Sequence, residues 1–228
     1  WQLIDVWAEI YFADKSKMLL VLEDKTFAEE HSDQLERYKQ QAEQFCADKG
    51  FSLVCTYFKI GSEPVSAIRG IRNKGFHVVT RKEIIETLRS FRQSDHAVLR
   101  DFIDYIDEVE DAHKAFQRLS LKDWNGSAWV GFYQFIESNI EIVKWHWVNN
   151  PGGGFWNLCL TWEYWNECVP VYLQIEQQKL CFKIAVGEDE TGFDNSLTDV
   201  TALKDYITKA LMEFVGADNP WKVRRRAA

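Results

Sequence analysis

Asp5, Glu23, Lys25, Gln34 and Tyr38 are residues whose types and spacing can do chemistry. Two carboxylates on neighbouring strands can converge on one divalent cation. Without it they repel, by something like 4 kcal/mol at roughly 4 Å and an effective dielectric of about 20. Carboxylates holding Mg²⁺ neutralise a phosphate and acidify a bound water, the two requirements of phosphodiester hydrolysis near neutral pH. Lys25, on the face of Glu23, can orient the attacking water or stabilise charge in the transition state. Gln34 and Tyr38, at i and i+4, share one helix face and can reach a substrate phosphate through an amide and a phenol.

Particular elements must hold these residues in place. Trp1 to Phe12, "WQLIDVWAEIYF", reads as a strand that ends at the polar "ADKSK", and Met18 to Glu23 reads as the returning strand. With the turn centred near Asp14, Asp5 lies opposite Glu23. Alternation then puts Asp5, Glu23 and Lys25 on one face and Ile4, Val6, Leu20 and Leu22 on the other. Ser32 or Asp33 caps a helix closing at Gly50, with Leu35, Tyr38, Ala42 and Phe45 as its buried stripe. Phe51 to Phe58 is a further strand, followed by the connection "KIGSEP". A short strand near Phe76 to Val79 leads to a helix whose capping box is Thr80 with Glu83. An amphipathic helix runs from about Asp95 to Phe116.

The composition changes at Trp124, where aromatic and polar residues begin to alternate and most of the tryptophans fall. The pattern predicts antiparallel strands near Trp129 to Ile136, Ile140 to Val148, Phe155 to Tyr164, Val171 to Gln174 and Leu180 to Val186. A final helix is expected over about Leu197 to Val215, before the basic tail "KVRRRAA". The expected domains are therefore 1–120, an α/β unit bearing the candidate residues; 121–217, an aromatic-rich β-domain closed by a C-terminal helix; and 218–228, the tail.

A hydrophobic content of 46% with 27% charged residues places the chain among globular proteins. Its net charge of -8 disfavours polyanion binding through overall charge, so contact with nucleic acid must be local. The five cysteines are odd in number and show no CxxC spacing, which indicates neither a disulfide framework nor a zinc knuckle and fits a reducing cytoplasm. No apolar run is long enough to span a bilayer, so a membrane partner is not expected.

An isolated E-x-K is more often a solvated strand end than a catalytic pair. The ordered set Asp5, Glu23-x-Lys25, Gln34-x-x-x-Tyr38 is far more specific. Carried by "IDVWAEI", "LVLEDK" and "DQLERY", it resembles the PD-(D/E)XK nuclease superfamily, in particular its branch with a Q-x-x-x-Y helix after the E-x-K strand. The resemblance implies a restriction-endonuclease-like core, a mixed central sheet flanked by helices, beside the aromatic-rich β region. It implies Mg²⁺ or Mn²⁺ bound by Asp5, Glu23 and the backbone carbonyl of Asp24, Lys25 as the catalytic lysine, and Gln34 and Tyr38 at the substrate phosphate. The expected activity is hydrolysis of nucleic acid, DNA in the first place, in bacterial or phage defence or repair. The family usually carries an earlier helix with another acidic residue, and this sequence begins after it, so the 1–120 unit is expected to be N-terminally incomplete. The alternative is a noncatalytic module on a relic nuclease fold, binding nucleic acid or a protein through the β-domain. An enzyme acting on small phosphorylated molecules is disfavoured, since no Gly-rich phosphate loop is present.

Overall fold

Val6–Tyr11 (β1) and Lys17–Lys25 (β2) form an antiparallel hairpin in which Val6 faces Leu22 and Tyr11 faces Lys17. The Asp14 carboxylate fixes the turn by accepting the Ser16 N–H at 2.9 Å and the Ser16 hydroxyl at 2.6 Å. Lys15 takes the left-handed conformation that such a turn needs. The computed structural model describes residues 4–27, 33–165, 169–184 and, further on, 202, 205, 206 and 209.

After β2 comes the helix Gln34–Lys49 (α1), which ends at the left-handed Gly50, whose N–H reaches the Cys46 carbonyl at 2.8 Å. It returns the chain to Ser52–Lys59 (β3), parallel to β2, and His77–Thr80 (β4) adds a second parallel pair. The sheet order is β1-β2-β3-β4. Leu19, Val21, Cys55, Tyr57 and Val78 on this sheet are buried against Leu35, Ala42 and Cys46 of α1. Glu23 continues the Leu19 and Val21 row, so the charged end of β2 extends a buried apolar face.

Val65–Asn73 (α2) occupies a stretch where the sequence suggests only a connection. It is short, with only Ile68 and Ile71 packing on the core, too few turns to stand out from the connection before it. Arg81–Leu88 (α3) has the expected capping box, with the Thr80 N–H and hydroxyl each 2.7 Å from Glu83 Oε2. Ala97–Lys114 (α4) buries Ile103, Ile106 and Val109.

The strand expected over Trp129 to Ile136 is instead part of a helix, Gly126–Asn139 (α5). Asn125 caps it by accepting the Ala128 N–H at 3.0 Å, and Trp129, Phe132, Tyr133 and Ile136 recur at helical spacing. Aromatic richness suggested a strand, but the small residues on the same helix decide the packing. An added methyl at Gly131 would stand 1.9 Å from the His113 carbonyl, so α5 touches the end of α4 backbone to backbone. Gly131→Ala is expected to cost about 1–3 kcal/mol as an overpacking change; urea unfolding that shows no loss would refute the contact.

The second sheet has the order β5-β6-β7-β8, from Lys144–Val148 (β5), Phe155–Trp165 (β6), Val169–Glu176 (β7) and Lys179–Ile184 (β8). The β6–β7 and β7–β8 pairs are antiparallel, and the β6–β7 register shifts between Cys159 and Thr161. Trp145 is buried, whereas Trp162 is half-exposed and stacks on Tyr172 at 4.6 Å with the planes 13° apart. The protein is thus mixed α/β with one mixed and one antiparallel sheet. Its two compact units are Trp1–His146 and Trp147–Ala228, the break falling within β5 and beyond the composition change at Trp124, since α5 packs with α4. Of the helix expected over 197–215, residues 202, 205, 206 and 209 are described and are helical; the rest, like the tail 218–228, lies outside the described residues. No helix among the described residues is long and apolar enough to cross a membrane.

Candidate active site

The β1–β2 register, continued by one residue beyond Val6 and Leu22, places Asp5 beside Glu23. Asp5 Oδ2 accepts the Asp24 N–H at 2.8 Å, which pins its carboxylate across the end of β2. Glu23 Oε1 pairs with Lys25 Nζ at 2.7 Å, and the two side chains are 2% and 14% exposed. Lys25 Nζ also donates to Gln34 Oε1 at 3.3 Å, and Gln34 Nε2 donates to the Tyr38 oxygen at 2.6 Å. All the residues singled out in the sequence therefore belong to one polar chain, from Asp5 on the hairpin to Tyr38 on the first turns of α1. It lies at the carboxyl end of the parallel strand β2, where open α/β sheets place their ligands.

Burial and the nearby Asp5 charge push the Glu23 carboxyl up, against the opposing pull of Lys25. Asp24, whose side chain is exposed on the opposite face, is also raised by desolvation and by Asp5. The hydrogen bond to Glu23 raises the Lys25 ammonium, so it stays charged through neutral pH. Glu23 Oε2 is buried with no hydrogen-bond partner. The Asp5 carboxylate lies within hydrogen-bond reach of Glu23, so the crowded pair can be relieved by a shared proton on Glu23 or by a cation.

The donor set fits a hard divalent cation in type, since its groups are carboxylate oxygens and a backbone carbonyl. Asp5 and Glu23 supply the carboxylates, and the Asp24 carbonyl follows the amide that Asp5 holds. Among the described residues no three His, Cys, Asp or Glu side chains come together as a metal-binding group.

Three residues at the same end of the sheet escape the sequence reading. Tyr57 stands opposite Glu23 and Lys59 opposite Lys25 on the adjoining strand β3. Both side chains meet Glu63 Oε1, the Tyr57 hydroxyl at 2.8 Å and Lys59 Nζ at 2.9 Å, and all three residues are buried. The available signal was Tyr57-x-Lys59 in the alternation of Cys55, a cation on the inward row of a strand. Gly61 completes this edge. Its N–H reaches the Thr26 carbonyl at 2.6 Å, and a Cβ there would lie 2.4 Å from that oxygen. No protein-family model matches the chain, and no significant match is found among curated proteins or solved structures.

Proposed function

We propose that the chain is a metal-dependent nuclease with a restriction-endonuclease-like core, hydrolysing phosphodiester bonds in nucleic acid, DNA in the first place. The observation that carries this reading is the Glu23 carboxylate: one oxygen bound by Lys25, the other buried without a donor, and Asp5 beside it. A cation is the partner that relieves both the orphaned oxygen and the carboxylate repulsion. Asp5, Glu23 and the Asp24 carbonyl would hold Mg²⁺ or Mn²⁺, which when bound supplies Lewis acidity and an acidified water. Lys25 contributes an ammonium held beside Glu23, placed to stabilise developing charge or to orient the attacking water. Gln34 orients that ammonium through its amide oxygen, and the buried Tyr38 hydroxyl holds the Gln34 amide in turn; the resemblance assigns both residues to the substrate phosphate. A cytoplasmic role in defence or repair is the setting that the resemblance to PD-(D/E)XK nucleases suggests.

The test is incubation of the full-length protein with plasmid, linear duplex, single-stranded DNA and RNA, with and without Mg²⁺ or Mn²⁺. Cleavage is expected only with the cation and not with Asp5→Asn. Nucleic-acid binding that needs no cation and leads to no cleavage would replace this reading with the noncatalytic module.

A further inference from the structure

Next to the candidate site, the structure holds a buried ion pair whose cation neighbours Lys25. Lys25 and Lys59 are register partners on adjacent parallel strands, which places them about 4.8 Å apart at the backbone and on the same face. Unscreened, the second ammonium would oppose any cation gathered at Asp5 and Glu23. Glu63 sits on it at 2.9 Å, the two side chains being 2% and 4% exposed. The Tyr57 hydroxyl binds the same carboxylate oxygen and holds it in place.

The loop that carries Glu63 is fastened on either side. Arg81 Nη1 donates to the Ile60 carbonyl at 2.6 Å, the Gly61 N–H to Thr26 at 2.6 Å, and the Val65 N–H to Glu137 Oε1 at 2.9 Å. A buried ion pair can often be replaced by apolar residues without loss of stability, so folding alone gives little reason for one here.

We infer that Glu63 is a positioning residue for the site: held by Tyr57, it neutralises Lys59 so that Asp5 and Glu23 keep their affinity for a divalent cation and Lys25, paired with Glu23, is the ammonium left to act at the site. The inference rests on the metal reading above and adds residues that contact neither metal nor substrate.

The test is Mn²⁺ affinity of the full chain, followed by electron paramagnetic resonance without nucleic acid. Glu63→Gln leaves Lys59 charged and is expected to weaken Mn²⁺ binding about tenfold, the scale of one added charge acting through a screened interior. Lys59→Met combined with Glu63→Gln removes both charges and should restore affinity to within about threefold of wild type. A merely structural role predicts that the loss in Glu63→Gln vanishes once Mn²⁺ binding is referred to the folded fraction measured by urea unfolding, since an unpaired buried charge then acts only through stability, and that result overturns the inference. Should Glu63→Gln fail to fold, Lys59→Met decides: binding as tight as wild type or tighter supports the inference, and weaker binding overturns it. Wild type that binds no Mn²⁺ removes the metal reading and this inference with it. Wild type that binds, with unchanged variants, removes only the role of Glu63.

Discussion

Lys25→Ala should lower the single-turnover cleavage rate by about 10²-fold or more while nucleic-acid affinity falls by less than about threefold. The first figure is the scale on which removing one preorganised electrostatic stabiliser acts, and the second follows because the loss is confined to the transition state. Lys25 is suited to that role by its surroundings. Its ammonium is clamped between Glu23 at 2.7 Å and Gln34 at 3.3 Å, so little reorganisation is needed when charge develops. Its raised value also has a stability consequence. That contribution is fully present below the unfolded lysine value of about 10.4 and is lost as pH rises through the still higher folded one. Activity lost near neutral pH in the variant is therefore not a titration of the fold. Equal single-turnover rates for variant and wild type would cancel the role assigned to Lys25, whatever became of the metal.

Glu23→Gln should separate stability from cation binding. With cation at 100 times its dissociation constant, wild type gains about 2.7 kcal/mol; at about 2–4 °C per kcal/mol this is a rise in Tm of roughly 5–11 °C. The variant should lose most of that gain. In chelator at pH 7, however, it should melt at the same temperature as wild type or above it. Glu23 is raised on folding, so the folded state favours its protonated form. Its favourable contribution exists below the unfolded value of about 4.3 and disappears as pH rises through the folded one, leaving a cost at neutral pH that glutamine does not carry. Any advantage of the variant should narrow as pH falls toward 4. Lys25 keeps the Gln34 oxygen and an amide oxygen in place of the carboxylate. A variant that melts well below wild type in chelator, at both pH 7 and pH 4, would show that Glu23 serves the fold and not a ligand.

The hairpin and the helix after it were legible because their signals are local. Turn chemistry at Asp14 and Ser16 set the register, and period-2 alternation carried it to Asp5 and Glu23. The helix α5 was not legible as such, since its aromatic residues match strand preference as well as a buried helix face, and only the close approach of Gly131 to His113 decides between them. Glu63 was hidden for another reason. It lies outside any periodic segment, and its partners Tyr57 and Lys59 become neighbours of Glu23 and Lys25 only through the parallel pairing of β2 with β3, which no local pattern encodes.

The polar chain from Asp5 to Tyr38 is drawn from one continuous ββα segment, whereas its buffering pair Lys59 and Glu63 arrives with the next strand and loop. Contacts of short sequence separation form early and at small entropic cost. The bonds of the polar chain therefore span at most 19 residues and tie only the hairpin to α1, whereas neutralisation of Lys59 beside Lys25 requires the pairing of β2 with β3.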